Sequence, residues 1–212
     1  MSDRSESARD GGRLVTVAAA LLTGGASRRM GRDKSTLLVD GVAAATRTSR
    51  LLAEFFEDVV LVGGDPPSDA SGRRVEDVAG PRCALRGVVS ALAAARSERV
   101  LIVATDLPLV TPDLLLALVA LPEADAIVPR DDAGRHPLCA LYRREPALER
   151  ATELLRAERL AMSHLLDALG TRYFEGPDLA RVDPDGRALT NVNTPDDLAR
   201  LEIPVADSTG RQ

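Results

Sequence analysis

The sequence predicts an α/β domain built on a mainly parallel sheet, and three features carry that expectation. Apolar runs with little polar alternation recur along the chain, as in strands buried on both faces. Alanine- and leucine-rich segments with helical spacing separate them. The chain has 212 residues, 45% of them hydrophobic and 28% charged, which suffices for one full core and would cramp two equal ones.

Taken in order, residues 14–22, 58–62, 100–105 and 126–128 read as buried strands. Between them, residues 43–55, 84–95 and 112–121 read as the helices that cover such a sheet, and this alternation defines the α/β class. The later part departs from the alternation. Residues 137–143 read as another strand, 145–156 and 161–169 as helices, and 172–175 as a short strand, together a lid or acceptor-binding subregion. The expected organisation is one domain over residues 13–202, a disordered leader at 1–12 and a flexible tail at 203–212.

Composition narrows the class of function. A formal net charge of -5 argues against a broad nucleic-acid surface, because neutralising phosphates needs clustered excess cations. The leader lacks the apolar centre of a signal peptide, and no run reaches the roughly 18 apolar residues that span a bilayer. Cys83 and Cys139 form no CxxC pair and lack a histidine at ligand spacing, so neither a disulfide framework nor structural zinc is expected. A protein of the reducing cytoplasm, without nucleic-acid or membrane partners, fits these features.

The strongest chemical signal is LLTGGASRRMGRDK, residues 21–34, directly after an apolar strand. Gly24 and Gly25 can take positive φ and let backbone N–H groups approach a polyphosphate without a Cβ in the way. Arg28, Arg29 and Lys34 supply the countercharge. Lys34 is the single lysine among 27 Lys and Arg residues, a compact point charge where the chain otherwise prefers a planar fork. The string is neither a Walker A loop, since Asp33 precedes the lysine, nor a dinucleotide GxGxxG. A plain Gly-rich turn with solvated arginines is the competing reading.

In VLIVATDLPLVTPDLL an apolar strand ends at Asp106. Ligands of open α/β sheets bind beyond the carboxyl ends of the strands, so Asp106 and the glycine loop are expected to share one edge. A bare carboxylate repels a triphosphate, whereas Mg²⁺ between them reverses the sign, which makes Asp106 the expected metal ligand. Its bland alternative is a turn aspartate. Thr111, Pro112 and Asp113 read as an ordinary helix start, and so do Thr194 to Asp197. Asn191 and Asn193 carry carboxamides for a phosphate oxygen, metal-bound water or hydroxyl, with an Asx-turn as the equal alternative. Asp77, in RVEDVAGP, is a candidate acceptor for a nucleoside hydrogen bond, and His136, before a proline, a candidate contact to an anionic acceptor. No GxSxG elbow occurs, and the two histidines have no nucleophile beside them in sequence.

The strings LLTGGASRRMGRDK, RVEDVAGP, VATDLP, AIVPRDDAGRHPLCALY and TNVNTPDDL, in that order between residues 21 and 198, resemble the molybdenum cofactor guanylyltransferase family. The resemblance implies a three-layer α/β/α fold of the nucleotide-diphospho-sugar transferase type with a mixed, mainly parallel sheet. It implies GTP as donor, Mg²⁺ at Asp106, a molybdopterin-type cofactor as acceptor and pyrophosphate as by-product. Residue by residue, it makes Leu22, Thr23, Gly24, Lys34, Asp77 and Asp106 the nucleotide contacts; Gly25, from the glycine pair, is expected to join them, and Lys34, Asp106 and Arg29 are the expected catalytic set. Arg135, His136, Asn191 and Asn193 are expected to face the acceptor, and a molybdoenzyme or its chaperone to receive the product. The sequence departs from the family's pattern at Val62, Arg82 and Ala84, in the expected base pocket. A cytidylyltransferase or sugar-phosphate nucleotidyltransferase on the same fold, or a nucleotide-binding protein without turnover, stand as alternatives.

Overall fold

The computed structural model describes residues 9–10, 12–24 and 38–201. Strand β1 (Arg9–Asp10) pairs antiparallel with β2 (Arg13–Leu14), so two residues of the expected leader lie in a strand. Then come β3 (Val17–Leu22), the hairpin β4 (Leu38–Val39) and β5 (Val42–Ala43), α1 (Ala44–Phe55), β6 (Val59–Val62) and β7 (Arg73–Val75). Helix α2 (Ala84–Ala94), β8 (Arg99–Ala104), α3 (Pro112–Ala120), β9 (Ala126–Asp131) and β10 (Gly134–Arg135) follow. The later part holds β11 (Cys139–Arg143), α4 (Arg144–Arg156), α5 (Met162–Ala168), β12 (Thr171–Phe174), α6 (Gly176–Val182) and α7 (Pro195–Arg200).

The main sheet runs β10-β9-β11-β8-β3-β6-β7, with β12 parallel to β9 off that path. Strands β8, β3, β6 and β7 are mutually parallel, which brings their carboxyl ends to one edge. Strand β11 runs antiparallel between β8 and β9 and makes the sheet mixed.

Strand β3 shows why the apolar runs lack alternation. Val17, Ala19 and Leu21 point into one core with α1, α3 and α6, while Ala18, Ala20 and Leu22 point into the other with α2, α4 and α5. Burial on both faces removes any reason for a polar residue at alternate positions. The result is three layers, helices on each face of one sheet. The small residues Ala18, Ala19 and Ala20, all fully buried, sit at the sheet's centre. Among the described residues no helix is long and apolar enough to cross a membrane.

Helix starts follow the sequence signals. The Thr111 side chain accepts the Leu114 N–H at 3.4 Å, with Pro112 in the first helical turn of α3. Unforeseen elements are short or polar: β7 reads Arg-Arg-Val, and α6 opens on Gly176 and Pro177.

Candidate active site

The carboxyl end of β3 is braced rather than open. The amides of Thr23 and Gly24 both donate to the Val62 carbonyl, at 2.9 and 3.2 Å. The buried Thr23 hydroxyl donates to the Val62 carbonyl at 3.0 Å and also contacts the Gly63 carbonyl. Gly24 is absent from the positive-φ residues, so its glycine is needed for closeness, not for backbone hand. A Cβ there would lie 3.1 Å from the Gly64 nitrogen and 3.3 Å from Asp77 Oδ2. The Thr23 and Gly24 amides are therefore already engaged within the fold. Gly25, Arg28, Arg29 and Lys34 lie outside the described residues.

Gly63 and Gly64, after β6, form a second glycine pair, and both take left-handed φ of +65° and +60°. A Cβ on Gly63 would lie 2.6 Å from Asp77 Oδ2, and one on Gly64 2.6 Å from the Thr23 carbonyl oxygen. The missing side chains let the ends of β3, β6 and β7 close together, with the Asp77 carboxylate beneath the two loops. Sequence reasoning passed over this pair, although Gly-Gly after an apolar strand is the same signal that marked Gly24 and Gly25. It also missed Arg86 of α2, whose NH2 donates to Asp77 Oδ2 at 2.8 Å. Nothing in the local spelling ALRG separates that arginine from a solvated one.

Asp106 follows β8 on the same edge. The Thr105 amide and hydroxyl both donate to the Leu22 carbonyl at 3.2 Å, which ties the ends of β8 and β3 together. The Asp106 main-chain carbonyl accepts the Val192 N–H at 2.7 Å. Val192 is buried with Val39 and Ala44 in a small third core, while Asn191 and Asn193 on either side of it are exposed. One backbone bond thus carries both asparagines from the far end of the sequence to the strand end that bears Asp106.

The start of α7 closes as a reciprocal capping box. The Asp197 carboxylate accepts the Asn193 and Thr194 amides at 2.9 Å each, and the Thr194 hydroxyl accepts the Asp197 amide at 3.2 Å. The Asn193 amide, followed by the Thr194 side chain, holds the Asp197 carboxyl below the ordinary aspartate range. A depressed folded value means that this stabilisation is complete above the unfolded value of about 3.9 and is lost as pH falls through the lower folded value. In an NMR titration the Asn193 and Thr194 amides should therefore shift with a midpoint below about pH 3.9. A midpoint at or above that value would contradict the capping box.

Arg135 and His136 lie farther along, beyond β11. Arg135 NH1 stands 3.4 Å from Asp167 Oδ1 on α5, and His136 Nε2 stands 2.8 Å from Asp131 Oδ1 without the alignment of a hydrogen bond. The structure pairs these two candidates with local carboxylates, while the neighbouring Leu138 carbonyl accepts the Ala104 amide at 2.8 Å and joins their segment to β8. Cys139 is fully buried, and burial pushes its thiol up to about 12, so it stays protonated and no nucleophile. Among the described residues no three acidic, histidine or cysteine side chains gather into a metal cage. One carboxylate at a strand end is the kind of protein ligand that Mg²⁺ takes when it draws the rest of its shell from phosphates and water.

Parallel strand ends tied to one another, with a carboxylate after β8 and glycines after the neighbouring β3 and β6, define a nucleotidyltransferase-type α/β site. Residues 19–169 match the MobA-like NTP transferase domain, and the chain belongs to that family. A protein of Pelotomaculum thermopropionicum named "Probable molybdenum cofactor guanylyltransferase" is 30% identical over 205 residues, which cover 93% of this chain and 98% of that one. The crystal structure of molybdopterin-guanine dinucleotide biosynthesis protein A from Archaeoglobus fulgidus superposes with a TM-score of 0.75 at 25% identity, covering 87% of this chain and 96% of that chain. The 2-C-methyl-D-erythritol 4-phosphate cytidylyltransferase of Thermus thermophilus, with a TM-score of 0.62 at 17% identity over 86% of this chain and 96% of its own, shares the fold. The fold is that of the nucleotide-diphospho-sugar transferases, and the chain is a nucleotidyltransferase.

Proposed function

We propose that this protein, in the cytoplasm, transfers GMP from GTP to a molybdopterin-type cofactor, releasing pyrophosphate and forming the guanine dinucleotide cofactor. The observation that carries this reading is the meeting of Leu22, Thr23, Gly24, Asp77 and Asp106 along one sheet edge, with Asn191 and Asn193 tied beside Asp106. The name and extent of the Pelotomaculum relative support guanine as the base and the molybdenum cofactor as acceptor.

Asp106 would hold Mg²⁺ together with the phosphates, and that ion would act as a Lewis acid on the phosphoryl oxygens. Asp77 accepts from the nucleoside. Lys34, Arg29 and the amides from Gly25 onward neutralise charge growing on the phosphoryl and pyrophosphate oxygens. Asn191 and Asn193 orient the acceptor's terminal phosphate toward the α-phosphorus, and Arg135 and His136 face the rest of the acceptor. The acceptor oxygen forms its bond to the α-phosphorus as the bond to pyrophosphate breaks, with no covalent intermediate on the protein. Positioning and electrostatics account for the rate. A molybdoenzyme or its chaperone would then receive the product.

Incubating the protein with GTP, Mg²⁺ and molybdopterin should release pyrophosphate and yield a guanine dinucleotide, with GTP preferred over CTP, UTP and ATP. Equal turnover with CTP, or turnover with a sugar phosphate in place of the pterin, would replace this reading with another nucleotidyl transfer. No pyrophosphate release under any pairing would leave a nucleotide-binding protein.

A further inference from the structure

Arg86 stands in the first turn of α2 and makes three contacts that immobilise one carboxylate. Its NH2 donates to Asp77 Oδ2 at 2.8 Å and its NH1 to the Gly80 carbonyl at 3.0 Å. Its own carbonyl accepts the Ser90 hydroxyl at 2.8 Å. That same Ser90 oxygen lies 3.4 Å from Asp77 Oδ1 and accepts the Val78 amide at 2.9 Å. The two ion-pair side chains are only 18% and 19% exposed. Ion pairs so withdrawn from water seldom raise stability above what apolar residues would give, because both charges lose hydration. Stability alone is a poor reason for this pair to stand under two glycine loops.

Its location supplies a better reason. The Asp77 carboxylate fills the space that a Cβ on Gly63 or Gly24 would take. The residue follows β7, at the far end of the row of parallel strands from β8, and its carboxylate reaches back under the ends of β6 and β3. A carboxylate accepts and never donates, and its oxygens offer about four lone-pair sites, so Arg86 and Ser90 leave capacity for a ligand. Guanine presents an N1–H beside its 2-amino group, two adjacent donors that suit it. Cytosine and adenine place a bare ring nitrogen next to a single amino group, and that lone pair would face the carboxylate.

We infer that Arg86 is a positioning residue for base selection, fixing the Asp77 carboxylate so that it reads the two adjacent donors of guanine. This rests on the GTP-dependent transfer proposed above. Arg86 touches Asp77 and not the reacting atoms, so its loss acts on nucleotide recognition more than on the chemical step.

The test compares the full-length protein with Arg86→Ala, Arg86→Lys and Ser90→Ala, measuring kcat and KM with GTP and with ITP, whose base lacks the 2-amino group. Equilibrium binding of GTP, ITP and CTP and a melting curve accompany each variant. Arg86→Ala should raise the KM for GTP about tenfold, leave kcat within about threefold and shrink the preference for GTP over ITP. Arg86→Lys should restore that preference in part, since one ammonium reaches Asp77 without spanning to Gly80. Should Arg86→Ala fail to fold, the milder Ser90→Ala must show the same loss of preference for the inference to stand. An Arg86→Ala protein with an unchanged GTP-to-ITP ratio, whether or not its melting point falls, overturns the inference alone. A wild-type protein that binds CTP as well as GTP overturns it together with the proposed function.

Discussion

Asp106→Ala should lose nucleotidyl transfer by on the order of 10³-fold, the scale expected when the anchor of a charge-stabilising ion is removed. The fold should survive it. Three bonds that seat this strand end use the main chain and Thr105: the Val192 amide to the Asp106 carbonyl, and the Thr105 amide and hydroxyl to Leu22. Alanine keeps these three, and a half-buried position at a strand end accepts a small side chain without a cavity. The melting point should therefore move by less than about 4 °C. Pyrophosphate release and thermal unfolding, measured on the same preparation, decide the matter. Turnover near the wild-type rate would remove Asp106 from the site, and a collapse of the melting point would make its role structural.

Gly64→Ala should be the most destabilising single-methyl change in this site. The left-handed φ of +60° costs an L-residue about 1–2 kcal/mol, and the added Cβ meets backbone that no rotamer change can move. It would stand 2.6 Å from the Thr23 oxygen, 2.9 Å from the Thr23 carbonyl carbon and 3.2 Å from the Gly24 nitrogen. Together these should lower stability by about 3 kcal/mol and the melting point by roughly 6–12 °C, with weaker GTP binding as β3 and β6 are pushed apart. Gly186→Ala separates the two contributions, because its φ of +64° is nearly the same and nothing lies within 4 Å of the added Cβ. That control should lose only about 1 kcal/mol. Equal losses in the two variants would mean that the loops are not in contact at Gly64.

Long, doubly buried elements were legible in the sequence because their physics is local and repeated. Residues 14–22 and 100–105 read as interior strands, and β3 and β8 stand there as the parallel neighbours at the heart of the sheet. The edge strand β7 and the β4–β5 hairpin were not read. Strand β7 is a single-neighbour edge strand of Arg-Arg-Val, where charge on a half-exposed edge hides the periodicity. The β4–β5 hairpin did carry a signal, since Asp40 and Gly41 sit at φ of +51° and +78° between short apolar pairs, as an Asp-Gly turn requires.

Of the candidate site, what was legible was the chemistry of single positions. Asp106 and Gly24 announce themselves by standing where a strand stops. What stayed hidden was partnership across long stretches of sequence, such as Arg86 holding Asp77, or Thr23 bracing the Val62 carbonyl at the end of β6. Arg135 and His136, expected to face the acceptor, also have carboxylate neighbours that the sequence did not show, Asp167 and Asp131. Sequence reveals which groups are capable of a role, and packing decides which neighbour engages them first.

The bond from Val192 to Asp106 also sets an order of events in biosynthesis. As the polypeptide emerges from the ribosome, its amino-terminal half contributes the glycine loops and the acid, but the stretch that clasps that acid arrives near the end. The donor pocket consequently matures late in translation. A chain interrupted before residue 191 would already hold its inner strands yet lack the clasp and both asparagines.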